Sequence, residues 1–474
     1  MRLGNPPDVM SLRDPDGILV ATDDRLFRLL RPDAAPAFRE ALAKAAIAAA
    51  MERGEIAATE MLSPGQVPAA VRAIAPDADI YEHQRINFVS YPGEWSPLML
   101  CDAASHTLRM LSLALDSGLI LKDASPTNIV FDGTRPVFVD LPSFVPRSPG
   151  VFLWHARHQF DACFVLPLLL HLEASVPIAW SLRNPVQGVA HRMAAQLLGP
   201  RAWLKPSLVA AVAVPAALSN RQGKGSSRPR QDLNDERARF ALRRQLTGLE
   251  RRIARLRDGI RRKTSMWRAY TDSRGHYDAR DIETKRRIVA EMIASVAPAR
   301  VLDVGANTGE FSALAAQHAP VIALDVDEQS VNGIYERAAA EHLPISPLVG
   351  NFARPTPAEG WDNAESSALL ERLAGQCDLV LMLAVIHHLR VTEGIPMARV
   401  LATAARVTGR HLIIEYVGPG DPMFQVLARG RDTLYGDCVR AEFERLATEY
   451  FTIVRSEGLA NGRRLYLLGR LNRN

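Results

Sequence analysis

With 474 residues, 47% hydrophobic and 23% charged, the chain has room for two to four globular domains at about 100–200 residues each and is too apolar for global disorder. Its four cysteines, Cys101, Cys163, Cys377 and Cys438, form no C-x-x-C pair and no Cys/His cluster, which excludes a disulfide framework and a structural zinc site. The net charge of +5 is uneven: residues 1–220 carry 19 Lys/Arg against 21 Asp/Glu, 281–474 carry 20 against 24, and 221–274 carry 17 against 6, so the basicity belongs to one segment and predicts no general attraction to nucleic acid.

The N-terminus lacks the apolar core of a secretory signal. The longest apolar stretches, at 162–172 and 208–218, fall short of the ~18 residues that span a bilayer. A cytoplasmic, reducing setting is expected.

The first part, residues 1–218, mixes Ala-rich helical stretches with strand-like runs. Residues 102–118 read as an amphipathic helix and 136–141 (PVFVDL) as a strand. Between and beyond them lies LILKDASPTNIVFDGTRPVFVDLPSF, residues 119–144. Asp123 and Asn128 are five apart, and Asp140 follows at the end of the strand-like run. This spacing resembles the catalytic half of a protein-kinase-like fold, in which an Asp base, an Asn and a later Asp handle metal and phosphate. The departures matter. Leu121-Lys122 replaces His-Arg before the first Asp, and Leu141-Pro142 replaces Phe-Gly after the later one. Residues 1–95 hold neither a G-x-G-x-x-G loop nor a V-A-I-K lysine. The resemblance implies a separate α+β kinase-like domain, degenerate in phosphotransfer; an active phosphotransferase, or an unrelated fold in which the three polar residues cap turns, is the alternative.

The second part, 219–266, opens with SNRQGKGSSRPRQ (219–231), whose Gly, Ser, Pro and charge read as an exposed linker. A helix should follow. Leu242, Leu246, Leu249, Ile253, Leu256 and Ile260 recur at spacings of four and three and place one apolar stripe on a charged helix. The stripe fits a connector helix packed on its neighbour; a homodimer formed through 242–260 and a basic surface are the alternatives.

The third part, 267–474, alternates short apolar strands with helices, which calls for a parallel sheet covered on both faces. Strands are expected at 300–304, 321–325, 345–349, 378–383 and 411–416. Thr452–Val454 and Arg464–Leu468 flank Asn461-Gly462, a hairpin turn pair, so the sheet should finish with an antiparallel strand. The strongest signal is VLDVGANTGEFSALAAQHAP, 301–320. A buried strand runs to Asp303, the chain turns through Gly305 to Gly309, and a helix is expected from near Thr308. The two glycines allow a sharp turn and close approach to a ligand. No Lys-Ser/Thr follows, which removes the P-loop reading, and G-x-x-x-G is not the dinucleotide fingerprint. Asp325 ends the next strand, at an offset suited to accepting hydrogen bonds from ribose hydroxyls.

Residues 301–311 and 321–326 resemble the first two motifs of class I S-adenosylmethionine-dependent methyltransferases. That resemblance implies a Rossmann-like seven-stranded sheet with an antiparallel last strand and S-adenosylmethionine as cofactor. It places Asp303 near the cofactor's amino group through the loop. Gly305, Asn307 and Gly309 would shape the pocket around the amino-acid moiety, Asp325 would bind the ribose, and Asn351 stands where the family has an acidic residue beside the adenine. No metal is implied. The fourth strand delivers His387 and His388 past its carboxyl end, where an imidazole can take a proton from an acceptor near neutral pH. Glu415 and Tyr416 are further acceptor contacts by position. The insertion 354–376 and the segment 417–440 should form the acceptor wall.

Ala384-Val-Ile-His387 stands where DNA and RNA amino-methylating enzymes carry [DN]-P-P-[YF], which argues against that class. Taken with YPGEWSP (91–97), LKDASPTN and VDLPSF, the whole chain resembles bacterial nodulation-protein-like methyltransferases. It is also similar to polysaccharide-modifying enzymes in which a methyltransferase and a kinase share one chain. The resemblance implies methyl transfer to an oxygen or nitrogen of a glycan or other small-molecule acceptor. A bifunctional kinase-methyltransferase and an RNA methyltransferase guided by the Arg-rich segment are the alternatives.

Overall fold

The computed structural model describes residues 8–9, 14–22, 24–219, 234–272, 279–431, 434–435 and 438–471. The chain divides into two compact units, Met1–Lys263 with Glu359–Ser366, and Thr264–Ala358 with Ser367–Asn474.

The first unit opens with a five-stranded sheet in which every neighbouring pair is antiparallel. Its spatial order is Asp8–Val9, Gly17–Ala21, Leu26–Leu30, Asp79–His83, Thr59–Met61. Phe27, Leu29, Val20 and Ile80 pack beneath it with Leu62 and Val71. A twenty-residue helix, Pro97–Asp116, follows, with Pro97 in its first turn. The Ser96 hydroxyl caps it by accepting from the Met99 amide at 3.4 Å; Ser at the cap and Pro just inside it are an N-terminal helix signal. Beyond the helix, Leu119–Leu121 pairs with Phe144–Pro146, and Ile129–Asp132 forms a hairpin with Arg135–Phe138. These two pairs frame the loop from Lys122 to Asn128.

The helix Asp235–Asp272 leaves from this unit. All six residues of its apolar stripe are buried, from Ile260 at 0% to Leu256 at 5% exposure. Arg147 holds its start by donating to Asp235 at 2.6 Å, and Gln245 donates to the Phe152 carbonyl at 2.7 Å. Arg243 pairs with Asp116, and Arg257 with Asp102. At Gly259 a Cβ would come within 2.8 Å of the Leu172 side chain, so the helix passes closely there. The stripe is thus covered within its own unit, the connector-helix arrangement, and a homodimer through 242–260 would have to open that packing. Residues 220–233, most of the expected linker, lie outside the described residues.

The second unit is built on seven strands: β1 Val301–Val304, β2 Val321–Asp325, β3 Ile345–Val349, β4 Cys377–Met382, β5 Thr408–Tyr416, β6 Phe451–Gly458 and β7 Arg464–Arg470. They run in the order β3-β2-β1-β4-β5-β7-β6. The first five are mutually parallel, and β7 lies antiparallel between β5 and β6. All four residues of β1 are buried, as a central strand covered by helices on both faces requires. The terminal hairpin turns at Gly462, with φ of 82°, and is closed by the Leu459 amide on the Arg463 carbonyl at 2.8 Å. After β3 the chain crosses to the other side of β1, so the strand order reverses between β1 and β4. In open α/β sheets a ligand crevice forms there, at the carboxyl ends.

Among the described residues, no helix is long and apolar enough to cross a membrane.

Replacing Leu249 or Ile253 by Ala should cost the first unit about 2–4 kcal/mol each, as large-to-small changes in a packed core do. Urea unfolding followed by circular dichroism measures the loss, and sedimentation should show an unchanged mass.

Candidate functional site

The turn after β1 is fastened to β2. The amides of Gly305 and Ala306 both donate to the Leu324 carbonyl, at 2.8 and 3.0 Å. Three residues of the turn are left-handed: Gly305 at φ 73°, Asn307 at 49° and Gly309 at 78°. Asn is among the few side chains that tolerate this region. A Cβ on Gly305 would stand 2.6 Å from Val385 Cγ2, and one on Gly309 2.7 Å from Ile334 Cγ1. Both glycines are therefore fixed by space as well as by backbone angle. The helix opens at Glu310, slightly later than the sequence suggests, because Gly309 is still left-handed.

Two carboxylates border this turn. Asp303, 2% exposed, accepts from the Ser312 hydroxyl at 2.6 Å. Burial pushes its carboxyl up to about 6, partly offset by that bond. Asp325 accepts from the Asn307 amide at 2.7 Å and from the Asp327 amide at 2.9 Å. Burial raises its pKa as well, and the backbone donors oppose the rise. Asn351 follows β3, and its side-chain oxygen accepts from the amides of Ala353 and Arg354 at 2.8 and 3.2 Å. The oxygen is committed to this turn, so a ligand would meet the NH2 end.

Past β4 the chain turns through Ala384, itself left-handed at φ 54°, to His387 and His388, whose rings lie 4.2 Å apart. His387 is 2% exposed, and its Nδ1 is buried with no hydrogen-bond partner among the described residues. Burial, then the charges of His388 and Arg463, lower its pKa to about 3. The imidazole is neutral throughout the physiological range and can accept a hydrogen bond. His388 is exposed, and desolvation lowers its pKa too.

Beyond β5 lies an ion network that the sequence does not announce. Glu415, 1% exposed, takes Lys285 at 2.5 Å and Arg463 at 3.4 Å. Arg463 also bonds Asp421 at 2.7 Å, and Asp421 caps the helix Pro422–Ala428 by accepting from the Met423 amide at 2.9 Å. Lys285, on the helix Ala279–Val296, lies 5.0 Å from the centre of the Phe311 ring and acts electrostatically on both Asp303 and His387. Lys285 sits in a run of charged helix residues, and Arg463 follows a turn, so neither stands out in one dimension. Tyr416 departs from the expected acceptor role: its hydroxyl donates to the Cys438 carbonyl at 2.7 Å inside the unit.

In the first unit, Asn128 donates to Asp123, and the Asp123 amide lies 3.4 Å from the Ser143 hydroxyl. Asp140 has its carboxyl raised to about 7 by burial, with Arg28 opposing and Asp123 adding to the rise. Arg28 is the residue the sequence hides. It lies 7% exposed on the strand Leu26–Leu30, donating to Asp14 at 2.6 Å and to His83 at 3.3 Å. Among the described residues there is no group of three or more His, Cys, Asp or Glu side chains arranged to hold a metal ion.

The strand order of the second unit, with the glycine turn after β1 and the acidic ends of β1 and β2, matches the Rossmann-like sheet that the resemblance to S-adenosylmethionine-dependent methyltransferases implies. The turn lies against Val385 and Ile334 where a Cβ would stand, and the carboxylates of Asp303 and Asp325 border it, a donor set that suits the amino-acid and ribose parts of that cofactor. No protein-family profile matches the chain. It is similar to the nodulation protein NoeA of Rhizobium meliloti (strain 1021), 29% identical over 460 residues that cover 96% of this chain and 94% of that one. Among solved structures it is similar to the N-methyltransferase NodS from Bradyrhizobium japonicum WM9, at 16% identity and a TM-score of 0.30, over 41% of this chain and 98% of that one. The bifunctional kinase-methyltransferase WbdD is similar at 20% identity and a TM-score of 0.30, over 42% of this chain and 41% of that one.

Lys285→Met should leave Glu415 buried with only its longer contact to Arg463. Breaking a buried pair costs about 3 kcal/mol. Urea unfolding of the variant and the wild type at pH 7.5 measures the loss.

Proposed function

We propose that the second unit, with the catalytic domain beginning near residue 267, transfers the methyl group of S-adenosylmethionine to an oxygen or nitrogen of a small-molecule or glycan acceptor. One observation carries this reading: the orphaned Nδ1 of His387 lies past the end of β4, across the strand-order reversal from the turn held between Asp303 and Asp325. In this reading Asp325 takes the ribose hydroxyls. Gly305, Asn307 and Gly309 admit the amino-acid part, Asp303 favours its ammonium, and Asn351 offers its NH2 end to the adenine.

The bound cofactor supplies an already activated methyl group, so the protein's task is chiefly positioning. His387, held neutral by burial, accepts a hydrogen bond from the acceptor's O–H or N–H, which turns a lone pair of the acceptor atom itself toward the methyl group. With its pKa so low, it orients the acceptor better than it stores a proton, and His388 at the exposed side can pass the proton to water. The network of Glu415, Lys285, Arg463 and Asp421 fixes the far wall. The rings of Phe424 and Tyr435 meet edge to face with centroids 5.8 Å apart.

Calorimetric titration of the full chain with S-adenosylhomocysteine tests the pocket. Binding should tighten as pH rises through about 6, because an ionised Asp303 attracts the ligand's ammonium. Asp303→Asn should flatten that dependence, and Asp325→Ala should weaken binding at least tenfold, about the loss of one charge-assisted hydrogen bond. Absence of binding at any pH would overturn the reading.

We also propose that residues 1–218 form a kinase-like scaffold without phosphotransfer. The antiparallel sheet, the Asp123–Asn128 pair and Asp140 support the scaffold. The pairing of Arg28 with Asp14, and the absence of a lysine on its strand, support the loss of phosphotransfer. Asp123→Ala and Asp140→Ala should leave methylation unchanged, with no ATP-dependent phosphorylation in wild type or variants. Phosphate transfer by the wild type that either change abolishes would instead establish a bifunctional enzyme.

A further inference from the structure

Away from its polar loop, the first unit carries a face of another kind. From Ala174 to Gln231 the sequence has no carboxylate and eight Lys or Arg. Within that stretch the helix His191–Leu198 buries Ala194 and Leu198 and turns Met193 and Leu197 outward, 51% and 41% exposed. The next turn, Gly199–Trp203, buries Ala202 and presents Trp203 and Leu204, 61% and 75% exposed. Arg192 and Arg201 are exposed between them. Arg201 donates to the Glu173 carbonyl at 3.5 Å, and Lys205 pairs with the Glu173 carboxylate at 2.7 Å.

Four large apolar side chains clustered on one exposed helix and turn mark an interaction surface. The charge pattern chooses among occupants. A second copy meeting this face through a two-fold axis would set Arg192 and Arg201 against their own duplicates, with no carboxylate in the stretch to receive them. A bilayer with anionic headgroups reverses that sign. Its interfacial zone accepts Trp and Leu to a shallow depth while arginines reach phosphate. We propose that Met193, Leu197, Trp203 and Leu204, with Arg192 and Arg201, form a surface that docks on an anionic phospholipid bilayer. The inference is independent of the methyl-transfer reading. It would hold the enzyme at a membrane surface, where a lipid-linked or amphiphilic acceptor is concentrated.

Vesicle co-sedimentation of the full chain tests it. At ~0.1 M salt, binding is expected to vesicles of phosphatidylcholine with ~30% phosphatidylglycerol, and little to phosphatidylcholine alone. The double variant W203S/L204S should lower the bound fraction at least about fivefold, and R192E/R201E should do the same. Both change exposed side chains, so thermal unfolding should match the wild type. Should W203S/L204S unfold early, M193Q/L197Q supplies the same readout. The proposal is overturned if the wild type stays in the supernatant with anionic vesicles, or if the apolar variants bind as well as wild type. It is equally overturned if the variants dissolve a dimer seen by sedimentation while no vesicle binding occurs; the face would then belong to a second copy.

Discussion

The second unit depends on one fastening: the turn after β1 hangs on the end of β2. Two amides of the turn donate to Leu324, and a third, from Asn307, donates to the Asp325 carboxylate. Of the three left-handed residues, the two glycines carry no steric penalty, and Asn307 alone would be strained if the turn stood free. Here the neighbouring strand over-determines them. The same bonds that hold the turn also aim Asp325, so the shape of the turn and the carboxylate proposed to take the ribose are one construction. Loosening the turn would move both.

Electrostatics divide the crevice into two halves of different character. On the proposed donor side, Asp303 is buried and Asp325 half-buried, and burial penalises the ionisation of both, an arrangement that a cationic ligand would relieve. On the acceptor side, Glu415 and Asp421 already have their cations in Lys285 and Arg463, and the imidazole of His387 is kept neutral. A half whose carboxylates take hydroxyl and amide donors, beside one whose carboxylates are paired with cations, suits the proposed sulfonium donor and uncharged nucleophile. Lys285 joins the halves, because its charge bears on Asp303 as well as on Glu415.

The parallel strands and the cofactor turn were legible because their signals are local. Buried strands such as Val301–Val304 and Val321–Asp325 are short apolar runs bounded by turn residues, and Gly305 and Gly309 mark left-handed positions by their identity. The stripe from Leu242 to Ile260 declared a packed face by its spacing, although spacing alone could not say which partner covers it. What stayed hidden is made by distant residues. Arg463 reaches Glu415 across 48 positions and Lys285 reaches it across 130, and no one-dimensional pattern pairs them. Arg28 carries no motif of its own, and the sheet register that sets it beside His83 and Asp14 cannot be read from its neighbours. Tyr416 looked like an acceptor contact by its place at a strand end, but its hydroxyl is spent on Cys438.

The most direct test is a crystal structure of the full chain grown with S-adenosylhomocysteine. The account predicts density for the nucleoside over the Gly305–Gly309 turn, with both ribose hydroxyls within hydrogen-bond distance of Asp325 and the sulfur facing the His387 side. A nucleoside bound elsewhere, or a turn that still holds Asp325 closed while the ligand is absent from the crevice, would contradict it.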